Sequence, residues 1–338
     1  MKTTRLIPET MLLLILLAVT ATWAAEQTQV AEPRAKAKAK SKAPAPVLPQ
    51  PTAANVPYGD HPRQVLDFWK ATAAGPTPVL FFIHGGGWVG GDKNNVGNNG
   101  LKECLAAGIS VVSINYRYVT QAQEAGVKPP VEWPLRDAAR ALQFVRSKAG
   151  EWGLDKTRIG ASGGSAGACS SLWLAFHDDL ADAASSDPIA RESTRLSCAA
   201  VMGAQTSLDP HQMRAWISNS KYGGHAFGFR TPGKTDPTEF QRFYDGREQV
   251  LPWIKEYSPY EWVSADDPPI MLYYSAAPAP AGEPEKDPTH SAMFGVKLAE
   301  KLQSAGVKYH LIYPGSADQK YAKAYEFLID TLKSNGTQ

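Results

Sequence analysis

A glycine-rich stretch contains serines that could serve as the nucleophile of acyl transfer. Residues 158–168 read Arg-Ile-Gly-Ala-Ser-Gly-Gly-Ser-Ala-Gly-Ala, and Gly-x-Ser-x-Gly frames centre on both Ser162 and Ser165. A serine at a sharp strand-to-helix turn needs small neighbours, because the backbone on either side comes into close contact. We favour Ser165, because residues 166–176 then form a credible helix, whereas the Ser162 frame would begin its helix with two glycines.

A second glycine-rich stretch lies upstream, where an apolar run ends in His84-Gly-Gly-Gly-Trp88. Glycines let backbone amides approach the oxyanion that develops during acyl transfer. We expect the amides of Gly86 and Gly87 to bind that oxygen, together with the amide of Ala166 at the start of the helix after Ser165. The two motifs together are far more specific than either one alone.

Strand-type and helix-type stretches alternate along the chain. Apolar runs predict strands at residues 64–69, 79–84, 110–116, 199–203, 269–275 and 309–313. Helical periodicity predicts helices between them, at residues 101–107, 134–150, 291–303 and 322–332. This pattern favours an α/β fold, with a mostly parallel sheet, helices on both faces and the site at the carboxyl ends of the strands. Residues 205–262 are rich in aromatic side chains and contain no predicted strand. We interpret them as a cap over Ser165, with most of the aromatic rings forming the core of the cap itself.

Length and composition indicate one folded domain, and the amino-terminal residues indicate export. With 338 residues, 43% of them hydrophobic and 20% charged, the chain can bury one large core, which we place at residues 56–335. Residues 1–24 have the basic start, apolar run and small residues of a signal peptide, with a retained anchor as the alternative. The Ala/Lys/Pro-rich residues 25–55 predict a disordered linker. We expect a periplasmic or extracellular protein with no membrane span after cleavage.

The charge and cysteine patterns exclude several other classes of function. Residues 1–52 carry a net charge of +4 and the remaining residues −2, so the fold itself does not indicate nucleic-acid binding. Cys104, Cys169 and Cys198 have no metal-type spacing, and their odd number leaves at least one thiol unpaired. A Cys104–Cys198 bridge is possible, and Cys169 is predicted to be a small buried residue. We expect neither a metal nor another cofactor, because histidine, cysteine and aspartate do not cluster at metal-binding spacings.

The His84 motif, the turn around Ser165 and the α/β order together resemble the α/β-hydrolase esterases. The nearest groups are the feruloyl/acetyl-xylan esterase-like (BD-FAE-like) group and the hormone-sensitive-lipase-like group. The resemblance covers residues 55–335 and is strongest over 78–175. It implies a carboxylic ester hydrolase in which Ser165 attacks the acyl carbon and a histidine transfers the protons. It also implies a substrate that is an acyl ester of a carbohydrate, including a polysaccharide, or a small aryl ester.

The acid and the base depart from the pattern of these families. Their acid follows the strand at 270–275, where this chain has Pro278, and their histidine follows the last strand, where this chain has Asp318. The loops after the last two strands are neighbours in this fold, so the histidine could come from the first loop and the acid from the second. We therefore predict His290 as the base and Asp318 as its orienting acid, with Asp287 as the alternative acid. His290 could instead only cap the helix that starts at residue 291.

Other histidines are less suited to act as the base. His310 lies within a predicted strand, and the motif role of His84 is to shape the oxyanion loop, whereas His225 could reach the pocket from the cap. The unusual acid and base positions keep a second hypothesis open. In that hypothesis the protein is a degenerate hydrolase that binds a carbohydrate or ester ligand without turnover.

Overall fold

The computed structural model describes residues 48–231 and 236–334, and its centre is one β-sheet. Eight strands form it within these residues: β1 (Ala53–Pro57), β2 (Val65–Trp69), β3 (Thr77–Ile83), β4 (Ser110–Ile114), β5 (Leu154–Gly164), β6 (Cys198–Met202), β7 (Ile270–Tyr273) and β8 (Tyr309–Ile312). The strand order is β1-β2-β4-β3-β5-β6-β7-β8. Pairing is antiparallel from β1 to β2 and from β2 to β4, and parallel across the rest of the sheet.

Helices pack on both faces of this sheet and also form the segment between β6 and β7. They are α1 (Asn98–Ala106), α2 (Val119–Glu124), α3 (Glu132–Ser147), α4 (Ala149–Trp152), α5 (Ala166–Phe176), α6 (Pro210–Trp216), α7 (Glu239–Asp245), α8 (Arg247–Tyr257), α9 (Pro259–Trp262), α10 (Ala292–Ala305) and α11 (Ala324–Ser334). Among the described residues, none of them combines the length and the apolar character needed to cross a bilayer. The predicted α/β fold with a mostly parallel sheet is confirmed.

The central strand β3 shows how the two layers form. All seven of its residues are buried. Its side chains alternate between the faces, because successive residues of a strand point in opposite directions. Phe81 and Ile83 pack in the layer that includes α3, α5 and α10, whereas Leu80 and Phe82 pack with α1 and α11. The carboxyl end of β3 leads directly into the glycine-rich loop that begins at His84.

The segment between β6 and β7 includes residues 205–262, whose role as a cap over Ser165 stays a prediction. Its described residues form α6 to α9 and a short 3₁₀ helix (Gly224–Phe227), without a strand. Asp209 caps the start of α6 and accepts two parallel hydrogen bonds from Arg247 of α8, at 2.8 and 2.6 Å. The rings of Phe227 and Phe243 stack with their centroids 5.3 Å apart. Aromatic side chains of this segment thus pack against one another, as expected for a core within the cap.

The amino-terminal predictions lie largely outside the described residues, which exclude residues 1–47 and with them the predicted signal peptide and most of the linker. The folded chain starts earlier than the predicted boundary at residue 56, because β1 begins at Ala53. The Trp69 indole donates to the carbonyl oxygen of Pro49 at 2.8 Å, and the Lys70 amide donates to Thr52 at 2.9 Å. Backbone pairing at the sheet edge, rather than an apolar face, holds this strand, so its side-chain pattern did not reveal it.

The three cysteines are free, buried thiols, so the possible Cys104–Cys198 bridge is not formed. Burial raises the pKa of Cys104 and of Cys198 to about 12, and it also raises the pKa of Cys169. A thiol with such a pKa stays protonated and is a poor nucleophile at neutral pH. All three therefore act as small apolar residues of the core.

Candidate active site

Ser165 lies at the junction between β5 and α5, with φ 53° and ψ −122°. This region of backbone conformation is unfavourable for a residue with a side chain, at a cost of about 1–3 kcal/mol, so the surroundings must hold it. Glycines leave the necessary space. A Cβ atom on Gly163 would lie 2.5 Å from the carbonyl oxygen of Ile83, and one on Gly167 would lie 2.1 Å from the same atom. The amide of Ser165 donates to the carbonyl oxygen of Met202 at 2.9 Å, which fastens the turn to β6.

Ser162 occupies a different environment from Ser165. It lies inside β5, where it pairs with Phe82 on one side and Ala200 on the other. Its hydroxyl donates to the carbonyl oxygen of Ala200 at 2.7 Å, and the residue is buried. Because this hydroxyl is engaged within the sheet, the geometry favours Ser165 as the nucleophile.

A histidine and an aspartate complete a hydrogen-bonded relay with Ser165. The Nε2 atom of His290 lies 2.9 Å from the Oγ atom of Ser165, and its Nδ1 atom lies 2.8 Å from Oδ2 of Asp287. With its proton on Nδ1, the imidazole donates to the carboxylate and can accept the proton of the serine hydroxyl. Partial burial acts to raise the pKa of Asp287, but hydrogen bonds from the His290 ring and from nearby amides outweigh it and hold the pKa below its usual value. The carboxylate therefore stays ionised at neutral pH.

Asp318, the first choice for the acid, does not lie beside His290. Its Oδ2 atom is 2.6 Å from Nδ1 of His310 on β8, and its Oδ1 atom accepts from the amide of Lys320 at 3.0 Å. The loop after β8 thus folds back on its own strand and pairs with the nearest histidine. The predicted Asp318–His290 contact is absent from the structure, and Asp287, the alternative acid, occupies that position.

The loop that carries Asp287 and His290 is fixed by polar side chains from the segment after β6. Gln205, which is fully buried, donates from Nε2 to the carbonyl oxygen of Thr289 at 2.6 Å. Asn219 donates to the carbonyl oxygen of Glu285 at 2.8 Å and accepts from its amide at 3.0 Å. Sequence reasoning missed these residues, since an isolated glutamine or asparagine far away in the chain carries no signal of this role.

His290 does not cap the helix that follows it. The N-cap of α10 is Ser291, whose hydroxyl oxygen accepts from the amide of Met293 at 3.0 Å. Because Ser291 satisfies the helix terminus, both ring nitrogens of His290 are engaged elsewhere, with Ser165 and Asp287. The geometry therefore favours the base role over the capping role.

The predicted oxyanion loop lies directly against the start of α5. Gly86 has φ 108° and lines the same cleft as Ser165. Trp88 also has a positive φ, of 56°, and its indole donates to the hydroxyl oxygen of Ser170 on α5 at 3.0 Å. Ala166 is the first residue of α5, so the helix itself leaves its amide unused. Gly86 thus lines the cleft beside Ser165, whereas Gly87 and Ala166 are not among its lining residues.

The other two histidines near this loop support its shape. His84 is buried and stacks on Tyr116 with ring centroids 4.2 Å apart, and its Nδ1 atom lies 2.8 Å from the carbonyl oxygen of Gly85. His225 packs behind Gly87, where a Cβ atom would lie 3.7 Å from its Nε2 atom. Burial lowers the pKa of each imidazole to about 4, so both are neutral at pH 7. Each touches the loop, and neither is the partner of Ser165.

An open cleft of about 590 Å³ gives access to this constellation. Ser165, Asp287 and His290 line it together with glycines of the oxyanion loop. Its other side-chain walls include Phe82, Met202 and Tyr273. The cleft therefore has room for a small molecule beside the serine hydroxyl.

Comparison with known proteins places the chain among esterases. Residues 66–278 match the BD-FAE family. Among curated relatives, the esterase LipC of Mycobacterium tuberculosis is 36% identical over 114 residues, which are 32% of this chain and 26% of LipC. Gut esterase 1 of Caenorhabditis elegans is 33% identical over 203 residues, which are 56% of this chain and 34% of that protein. The chain thus spans between a quarter and a third of the length of these relatives.

Solved structures share the fold at lower sequence identity. A carbohydrate esterase from gut microbiota superposes with a TM-score of 0.60 at 21% identity, over 85% of this chain and 96% of the other. The acetyl ester-xyloside bifunctional hydrolase from Caldicellulosiruptor lactoaceticus superposes with a TM-score of 0.57 at 22% identity, over 80% and 89% of the two chains. Because the family match extends over more than half of its residues, the protein belongs to the BD-FAE family and has the α/β-hydrolase fold.

Proposed function

We propose that the protein is a serine carboxylic ester hydrolase with Ser165 as nucleophile, His290 as general base and acid, and Asp287 as the orienting carboxylate. The observation that carries this proposal is the continuous relay of 2.9 and 2.8 Å from Oγ of Ser165 through the His290 ring to Asp287. These contacts lie within the distances over which a positioned base accepts a proton. A cleft lined by all three residues supports the same assignment.

Acylation would begin with attack of the Ser165 oxygen on the acyl carbon of the ester. The hydroxyl proton passes to Nε2 of His290 as the new C–O bond forms, and the carbonyl oxygen becomes an oxyanion. Amides of Gly86 or Gly87 and of Ala166 would donate to this oxyanion, and the positive end of the α5 dipole favours its charge. The protonated His290 then gives its proton to the departing alkoxide, which leaves as the alcohol.

Deacylation repeats these steps with water in place of the serine. His290 removes a proton from a water molecule as that water attacks the acyl-enzyme carbonyl, and the same amides stabilise the second oxyanion. Collapse of this intermediate breaks the bond to Ser165, whose oxygen regains a proton from His290. The products are a carboxylic acid and the free enzyme. Throughout, the ionised Asp287 stabilises the imidazolium form of His290 and keeps its ring in place.

We also propose that the substrates are acyl esters of carbohydrates or small aryl esters. The open cleft supports small or chain-end esters, and structural neighbours are named as a carbohydrate esterase and an acetyl ester-xyloside hydrolase. The alternative, a degenerate protein that binds such a ligand without turnover, rests on Pro278 and Asp318 standing at the usual acid and histidine positions. The relay through Asp287 and His290 favours turnover, since it supplies both functions from one loop.

Hydrolysis of p-nitrophenyl acetate by matched serine variants tests the proposed function. Ser165→Ala should abolish turnover, whereas Ser162→Ala should retain most of it, because the Ser162 hydroxyl only bonds within the sheet. Circular dichroism should verify that both variants are folded. Loss of activity in Ser162→Ala, with activity retained in Ser165→Ala, would instead identify Ser162 as the nucleophile. Absence of hydrolysis by the unmodified protein, with binding of an acetylated sugar retained, would favour the degenerate alternative.

Export is a separate proposal that rests on the sequence of residues 1–24. The basic start, the apolar run and Ala24 at the predicted cleavage site support removal of this segment by a signal peptidase. Mass spectrometry of the protein purified from its native source should find an amino terminus near Ala25. An intact Met1 in the mature protein would contradict export by cleavage.

A further inference from the structure

A second cavity lies on the face of the sheet that α1 and α11 cover. Its volume is about 320 Å³, and its walls are mainly apolar. Leu80, Val96 and Leu328 line it and are each nearly fully buried, and Ala322 and Tyr325 complete its wall near the start of α11. We call this cavity the side pocket. Such a volume is too small for an oligosaccharide and is suited to a compact apolar group.

The side pocket adjoins the catalytic cleft. Phe82, Met202 and Tyr273 line both cavities. Met202 pairs with Tyr273 across β6 and β7, and its carbonyl oxygen accepts from the amide of Ser165 at 2.9 Å. In the described part of the chain, Met202 is the single large hydrophobic side chain that is exposed, at 41%. The wall that the two cavities share therefore includes Met202, whose backbone contacts the proposed nucleophile.

The position of His290 indicates which part of an ester would enter the side pocket. Asp287 and His290 line the cleft but not the side pocket. The proposed base must reach the oxygen of the departing alcohol, so the alcohol lies on the His290 side of Ser165. The acyl group, which stays bonded to Ser165, must then point away from His290. The side pocket, which neither Asp287 nor His290 lines, can receive the acyl group.

We propose that the side pocket binds an apolar acyl chain longer than acetyl, of about six carbons, since an apolar cavity of roughly half this volume holds a benzene molecule. This inference rests on the proposed esterase function and names the acyl specificity of the same site. The chain would pass Met202 and lie against Leu80, Val96 and Leu328. Each buried methylene would raise kcat/KM roughly three- to fourfold until the pocket is full.

The loop after β8 contributes to the wall of the side pocket. In the families that the sequence resembles, the histidine follows the last strand, whereas here Asp318 of that loop pairs with His310 of β8 itself. This pairing holds the loop on its own strand, and the end of the loop, at Ala322, becomes a wall of the side pocket. Because the base comes from residue 290, the last loop is free to shape a binding site.

The test compares acyl chains on one leaving group. We expect kcat/KM for p-nitrophenyl hexanoate to exceed that for p-nitrophenyl acetate at least tenfold. Ala322→Phe, a change at an exposed residue, would fill the pocket and lower the hexanoate-to-acetate ratio at least tenfold. Val96→Ala would enlarge the pocket and shift the optimum toward octanoate. Ala106→Phe is the matched control, since Ala106 is an exposed alanine on α1 that lines neither cavity, and it should leave the ratio unchanged.

Several outcomes would overturn the acyl proposal while the esterase function stands. These are equal kcat/KM values for acetate and hexanoate, an unchanged ratio in both pocket variants, or a preference that follows the alcohol when ethyl and hexyl acetate are compared. If no ester is hydrolysed, the proposed function fails, and calorimetry with ethyl hexanoate tests the pocket directly. Binding that weakens at least tenfold in Ala322→Phe and not in Ala106→Phe would support the pocket, and equal binding in all proteins would overturn it.

Discussion

Replacing Asp287 by asparagine measures how much this proposed orienting acid contributes to turnover. The carboxylate accepts from Nδ1 of His290 at 2.8 Å, which keeps the proton on that nitrogen and leaves Nε2 free for Ser165. An asparagine amide can instead donate to Nδ1 and so favour the opposite tautomer. In a serine triad with a buried acid, this change lowers kcat about 10⁴-fold.

Exposure reduces the effect expected in this protein. The side chain of Asp287 is 64% exposed and that of His290 is 38% exposed, so water screens the carboxylate and can replace part of its hydrogen bonding. We therefore expect kcat for p-nitrophenyl acetate to fall about 10²- to 10³-fold in Asp287→Asn. This loss corresponds to about 3–4 kcal/mol of transition-state stabilisation.

Asp318→Asn is the matched control, because Asp318 pairs with His310 at 2.6 Å and does not contact the relay. We expect its kcat to stay within about twofold of that of the unmodified protein. Steady-state kinetics at one pH, with circular dichroism to verify folding, compares the two variants. Full activity in Asp287→Asn, or an equal loss in Asp318→Asn, would refute the assignment of the acid.

Three further predictions follow from buried groups around the site. Because the pKa values of His84 and His225 are lowered to about 4 in the folded protein and are about 6.5 in an unfolded chain, the unfolded chain binds more protons between these pH values. The free energy of unfolding should thus fall as pH drops from about 6.5 to about 4, by up to about 3 kcal/mol per histidine. Urea unfolding at several pH values should show this decrease, and His225→Gln should make the decrease smaller. Gln205→Met removes the hydrogen bond to Thr289, so kcat should fall about 10- to 100-fold. KM and the midpoint of thermal unfolding should change little. A rise in KM as large as the fall in kcat would contradict a positioning role for Gln205. Gly167→Ala should fail to fold, since its Cβ atom would lie 2.1 Å from a backbone oxygen of β3, and a soluble, active variant would contradict that contact.

The fold was predictable because its signals are local. Buried parallel strands appear as continuous apolar runs, and the turn around Ser165 needs small residues whose positions the sequence displays. β1 was missed because an edge strand held by backbone pairing leaves little trace in its side chains. The choice of Ser165 over Ser162 rested on helix propensity, and the structure adds that the Ser162 hydroxyl bonds to Ala200.

The identity of the acid was harder to predict, because Asp287 and Asp318 both lie on loops at the same end of the sheet. The outcome depends on which histidine each carboxylate meets. Asp318 meets His310, only a few residues away on the preceding strand, and a short loop of this kind costs little entropy to close. Asp287 likewise meets His290 within one turn of chain. Contacts between distant segments, such as Gln205 with the base loop, have no sequence pattern at all.

We propose that His290 activates Ser165, and covalent labelling by a fluorophosphonate measures this activation. We expect a single adduct, mapped to Ser165 by tandem mass spectrometry, and a labelling rate that falls at least 10²-fold in His290→Ala, because the serine hydroxyl then lacks a base. His211→Ala serves as the control and should label at the rate of the unmodified protein, because the His211 ring contacts the carbonyl oxygen of Tyr244 and lines neither cavity. An adduct on Ser162 would show that Ser165 is not the nucleophile, and labelling of Ser165 at an unchanged rate in His290→Ala would show that His290 is not its base.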